Sequence, residues 1–170
     1  MQGYNRNYDI EMNIVFLDFD GVLDTASYDM YLVRNGLPEC DEEGRPIFDP
    51  KCIENLNQII DATNAAIVVT SDWKYIDSYK DLLEMWHLRG MPGFMTDLTP
   101  NVSKHRGDEI ACWLDECDVE CNYVIIDDLN SENFNKDQLE RLVTVNPYYG
   151  LDREATLKAI SIIKNHSKKK

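Results

Sequence analysis

At 170 residues, 44% of them hydrophobic and 28% charged, the chain has the makeup of an ordinary globular protein with a sizeable core. Its 31 acids against 17 bases give a formal net charge of −14, which weighs against free nucleic acid and anionic membranes as partners. No apolar run approaches bilayer-spanning length, and the polar stretch Met1 to Met12 is not a signal peptide, so a cytoplasmic location with reduced thiols is expected.

Residues 1–11 read as a loose lead-in. Ile14-Val15-Phe16-Leu17 then reads as a strand buried on both faces, and it runs into Asp18-Phe19-Asp20-Gly21. Residues 25–48 carry Tyr28, Tyr31, Asn35-Gly36 and Leu37-Pro38, a content that predicts an irregular flap or hairpin. Asp49-Pro50 marks a helix start, with Ile53, Leu56 and Ile60 at helical spacing through about residue 61. Ala65 to Val69 is a second apolar strand, ending in Thr70-Ser71-Asp72-Trp73. Ile76, Tyr79, Leu83 and Trp86 predict the next helix, closed by Gly90, and residues 93–98 a short edge strand. A helix from about Arg106 to Cys117 is expected to bury Ile110, Trp113, Leu114 and Cys117. Tyr123 to Ile126 is a third apolar strand, ending in Asp127-Asp128. A short helix over 136–141, a strand over 142–145, a turn at Asn146 to Gly150 and a last helix capped by Asp152 complete the chain, with Leu157, Ile160 and Ile163 on its apolar face. The basic run Lys168 to Lys170 reads as a solvated tail.

Short apolar strands alternating with amphipathic helices predict an α/β fold, a three-layer α/β/α doubly wound parallel sheet. Such sheets bind ligands outside the carboxyl ends of their strands. A parallel arrangement would therefore gather Asp18/Asp20, Thr70/Ser71 and Asp127/Asp128 at one edge. Four carboxylates brought together cannot all stay ionised without compensation, and a hard divalent cation such as Mg²⁺ supplies it. Asp18 could then act as nucleophile and Asp20 as proton donor and acceptor. Thr70 or Ser71 could bind a phosphate oxygen, and Lys104 or Arg106 could supply the missing cation. Trp73, next to a helix start, reads more readily as core than as a site residue. Cys112, Cys117 and Cys121 have no histidine nearby and make a poor zinc site.

Asp18-x-Asp20-Gly21-Val22-Leu23 resembles the first motif of the haloacid dehalogenase (HAD) superfamily. Ile67 to Ser71 is similar to its second motif, and Tyr123 to Asp128 to its fourth in the two-aspartate form. The finer pattern Thr-Ser-x-Trp, Arg-Gly-x-Glu-Ile-x-x-Trp-Leu, Ile-Ile-Asp-Asp and Gly150-Leu151 is similar to small HAD-domain hydrolases without a large cap. The resemblance implies one HAD-like domain over residues 1–170, with a core of about 13–163 and a flap insertion at about 25–48. It implies Asp18 as the nucleophile that becomes an aspartyl-phosphate, Asp20 as general acid/base, and a Mg²⁺ site on Asp18, the Asp20 backbone carbonyl, Asp127 and Asp128. Arg106 fits the third motif better than Lys104, and Thr70 fits the second better than Ser71. The activity implied is a Mg²⁺-dependent phosphomonoester hydrolase. Its alternatives are a polynucleotide 3′-phosphatase or other end-processing enzyme, and a phospho-ligand-binding module without efficient turnover. Without room for a cap, the site should admit a bulky phosphorylated substrate, with Tyr28, Tyr31 and Arg34 of the flap as specificity residues. Bound Mg²⁺ and local Lys or Arg could outweigh the acidic net charge against nucleic acid.

Overall fold

The computed structural model describes residues 11–166, so the lead-in and the terminal lysines lie outside the described residues. Among the described residues, five strands form one all-parallel sheet: β1 (Glu11–Leu17), β2 (Ala66–Val69), β3 (Met95–Leu98), β4 (Glu120–Asp127) and β5 (Leu142–Thr144). Their order is β3-β2-β1-β4-β5. The chain steps outward from β1 to β2 and β3, then crosses to the other side of β1 for β4 and β5. This reversal leaves a crevice at the carboxyl ends of β1 and β4, where such sheets take their ligands.

The period-2 geometry of β1 sorts its side chains between two cores. Val15 and Leu17 face one side, packed with Leu56 and Ile59 of α2 (Pro50–Thr63), Leu82 and Trp86 of α3 (Tyr79–Leu88), and Ala159 and Ile163 of α5 (Arg153–His166). Ile14 and Phe16 face the other side, against Ile110 of α4 (Arg106–Glu116) and Phe134. Helices thus cover both faces of the sheet, as in a Rossmann-like α/β/α core, and no large cap is inserted among the described residues.

Several local expectations need correction. The stretch 25–48 is not wholly irregular: it begins with α1 (Ala26–Arg34), whose N-cap Thr25 accepts a hydrogen bond from Tyr28 N. Only Leu32 of that helix is buried, so its apolar periodicity was faint in the sequence. Ile76 is 88% exposed and precedes α3, which starts at Tyr79 behind a capping box of Ser78 and Asp81. In α4, Trp113 and Leu114 are only half-buried, as is Cys117 just beyond it, and they sit at the margin of the core that Ile110 enters. Leu157 of α5 is exposed, while Ile163 is buried. The other elements fall within a few residues of their expected limits. Asp49 caps α2 through Lys51 N, and Asp152 caps α5 through Ala155 N.

Candidate active site

The sheet ladder continues one residue beyond its strands and so fixes the site. Asp18 N donates to Ile126 O at 3.1 Å and Thr70 N to Leu17 O at 2.9 Å. Three strand ends are therefore locked side by side, with Asp18, Thr70 and Asp127 all buried. Asp18, Asp127 and Asp128 each offer a carboxylate oxygen, and these oxygens lie within 4.8 Å of one another.

Arg106, at the start of α4, reaches into this cluster. Its Nη1 lies 3.1 Å from Asp127, 3.1 Å from Thr70 Oγ1 and 3.5 Å from Asp18, while Nη2 pairs with Asp72 at 3.1 Å. Burial opposes its charge, but Asp127, Asp18 and Asp72 outweigh that and hold the guanidinium firmly protonated. Gly107 lets this helix start close in, since a Cβ there would collide with the backbone at Asn135 and Phe134. Lys104 instead stands exposed beside a cavity of about 560 Å³, which it lines with Tyr75, Ser103 and Asp72. Of the two candidate cations, Arg106 meets the acids and Lys104 lies at the rim.

Burial pushes the Asp18 carboxyl well above the usual range, and repulsion from Asp127 adds to this against the pull of Arg106. Asp127 is raised by burial too, with Arg106 opposing, and burial also raises Asp128. One guanidinium does not balance three convergent carboxylates. The donor set, all hard oxygens at the edge of a buried strand pair, fits a small divalent cation such as Mg²⁺.

Asp20 does not join this cluster. Its side chain is exposed, and its Oδ1 accepts a 2.8 Å hydrogen bond from Trp73 Nε1. The chain turns at Gly21 with φ +71°, a conformation that needs no Cβ, and a Cβ there would strike the Asp128 carboxylate and Pro147. The two hydroxyls also part ways. Thr70 faces Arg106, whereas Ser71 Oγ caps the following turn by accepting from Trp73 N at 3.4 Å.

Sequence reasoning missed three features here. Trp73 is core as expected, packed on Phe19 and Phe48, but it also anchors Asp20 through its indole N–H. Asp72 holds the outer nitrogen of Arg106. Asp24 lies behind Asp20, and its carboxyl is pushed up to about 7 by burial and by Asp29 and Asp20. The pattern Thr-Ser-Asp-Trp held the first two, but nothing local told where those side chains end.

Fold and site together define a HAD-superfamily core, with the acids of an acid-based hydrolytic site assembled at its switch point. A family model described as "HAD domain in Swiss Army Knife RNA repair proteins" matches residues 14–156, and the chain belongs to that family. No curated protein and no solved structure matches it.

Proposed function

We propose that this protein is a Mg²⁺-dependent phosphatase that removes a terminal phosphomonoester from RNA, working through Asp18. The observation that carries the chemistry is the set of contacts around Asp18, between Asp127 and the guanidinium of Arg106 at the end of the central strand. The family's description carries the substrate class, and it favours an RNA end over a small phosphorylated metabolite. The open site agrees with this, since among the described residues no large cap closes over the crevice. The rim is not uniformly acidic either: Lys104 and Tyr75 border it on one side.

Asp18, Asp127, Asp128 and the Asp20 carbonyl would hold the cation, which when bound neutralises the acids and draws electron density from a phosphate oxygen. Asp18 Oδ attacks phosphorus, and the bond from phosphorus to the ribose oxygen breaks. Asp20, at the mouth and oriented by Trp73, gives its proton to that leaving oxygen. The Asp20 carboxylate then takes a proton from water as the water oxygen attacks phosphorus, which frees Asp18 and inorganic phosphate. Arg106 offsets the charge on the transferring group, and Thr70 positions an equatorial oxygen with its hydroxyl.

The test is phosphate release from single-stranded RNA carrying either a 3′- or a 5′-phosphate, against a panel of phosphorylated metabolites and phosphopeptides. The proposal expects kcat/KM on one RNA end to exceed that on every small phosphomonoester by at least about 100-fold, the scale of remote binding energy in catalysis. Equal turnover of metabolites, or tight Mg²⁺-dependent binding of RNA ends with no hydrolysis over hours, would overturn it.

A further inference from the structure

A second cavity, of about 670 Å³, has an unusual wall. Four tyrosines line it: Tyr28 and Tyr31 from α1, and Tyr148 and Tyr149 from the turn between β5 and α5. Tyr31, Tyr148 and Tyr149 are 51%, 42% and 61% exposed, so their rings do not serve the core. They are nevertheless ordered against one another. The Tyr28 and Tyr31 rings stack at 5.7 Å and 15°, and the Tyr148 and Tyr149 rings meet edge to face at 4.8 Å and 81°.

Backbone hydrogen bonds tie the two walls together, Ala26 N to Pro147 O at 3.2 Å and Ser27 N to Tyr148 O at 3.1 Å. The same turn abuts the catalytic loop, since a Cβ on Gly21 would meet both Asp128 and Pro147. Tyr148 follows Pro147 directly, about 3.8 Å further along the chain. The turn that carries Tyr148 and Tyr149 thus also packs against the loop that follows Asp18, so the aromatic wall and the catalytic loop share one segment.

We infer that this tyrosine-lined cavity is a stacking subsite for the unpaired bases next to the terminal phosphate of single-stranded RNA. The inference rests on the RNA-end reading above. Every base has a π-face, so aromatic walls grip single strands without reading sequence. Lys51 on the lip can meet a backbone phosphate. The cavity's one carboxylate, Asp49, is buried and accepts hydrogen bonds from Thr25 Oγ1 and Lys51 N. Stacking also resolves the difficulty of a −14 chain binding a polyanion, because it draws affinity from ring faces rather than from neutralised phosphates. A stacked phosphopeptide is the competing occupant.

Two measurements test this. The first compares hydrolysis of a phosphorylated oligonucleotide with the same strand made abasic at its last three positions, in wild type and in Tyr31→Ala, Tyr148→Ala and the matching Phe variants. Removing either ring should raise KM about tenfold, the effect of one lost stacking contact, and removing the three bases should raise it at least as much. The Phe variants should restore it, with turnover of a non-aromatic phosphomonoester unchanged throughout. The second reads binding of a labelled, unphosphorylated strand by fluorescence anisotropy, without turnover. Its log Kd should change with log salt by a slope of only about 1, against the steeper slopes of proteins that grip several phosphates. Hydrolysis of RNA ends with no dependence on bases or rings overturns the subsite and leaves the phosphatase reading intact. Ring-dependent binding of the strand without hydrolysis supports the subsite and overturns that reading. Ring-dependent binding of phosphotyrosine peptides but not RNA overturns both.

Discussion

Arg106 concentrates the chemistry of the site in one side chain. Its two terminal nitrogens serve four partners in different directions, Thr70, Asp127 and Asp18 on one and Asp72 on the other. A lysine cannot reproduce that fork. Arg106→Lys should therefore lower kcat/KM by about 10²–10³, the usual cost of removing one donor from a developing anion. Lys104→Ala, at the rim, should leave turnover of a small phosphomonoester unchanged and weaken only a substrate long enough to reach it. Steady-state kinetics on both variants check this, and the reverse ranking would return the role to Lys104. The sequence left these two open because they stand two residues apart at one helix start. What separates them is depth, set by how closely Gly107 lets α4 approach the 134–135 backbone. Thr70 and Ser71 were ambiguous for the same reason, adjacent hydroxyls that a turn sends in opposite directions.

Among the elements, the turn after β2 and the helix α4 are joined by a pair that no motif announced. Lys74 Nζ meets Glu109 at 2.5 Å and Thr99 Oγ1 at 2.8 Å, with side-chain exposures of 1% for Lys74 and 3% for Glu109. Tyr75 donates to the other oxygen of Glu109 at 3.1 Å. Trp73 precedes Lys74 directly and Arg106 lies three residues before Glu109, so this network ties together the two segments that carry them. Lys74→Met should destabilise the fold by about 3–5 kcal/mol, because it strands a buried carboxylate. Replacing both partners by apolar residues should recover most of that loss. Urea unfolding of the single and double variants measures both. The elements themselves were largely legible, because β1, β2 and β4 each hold a run of branched apolar residues and α2 and α5 carry clear caps. Helix α1 escaped because it buries only Leu32 and is held instead by its Thr25 cap and by backbone bonds to the 147–148 turn. That tertiary support is invisible to periodicity.

At the scale of the whole molecule, function follows from topology. Residues 18, 70 and 127 are far apart in the chain, yet the order β3-β2-β1-β4-β5 sets their strand ends side by side. The alternation of strands and helices was enough to foresee that gathering, since parallel strands must all deliver their carboxyl ends to one edge. The path from Asp18 to the tyrosines was not foreseeable, because it depends on the turn at 146–150 packing against residues 21–27. The acidic net charge pointed away from nucleic acid, and an aromatic rim offers a way around it. The central claim is that Asp18 takes the phosphate from the RNA end. Acid quench of the wild-type enzyme during its first turnover of end-labelled, phosphorylated RNA tests it most directly, with mass spectrometry to locate the label. The account predicts a phosphate bound to the protein at Asp18 and none in Asp18→Asn, which should also lose turnover. Full turnover in Asp18→Asn, or label on another residue, would contradict it.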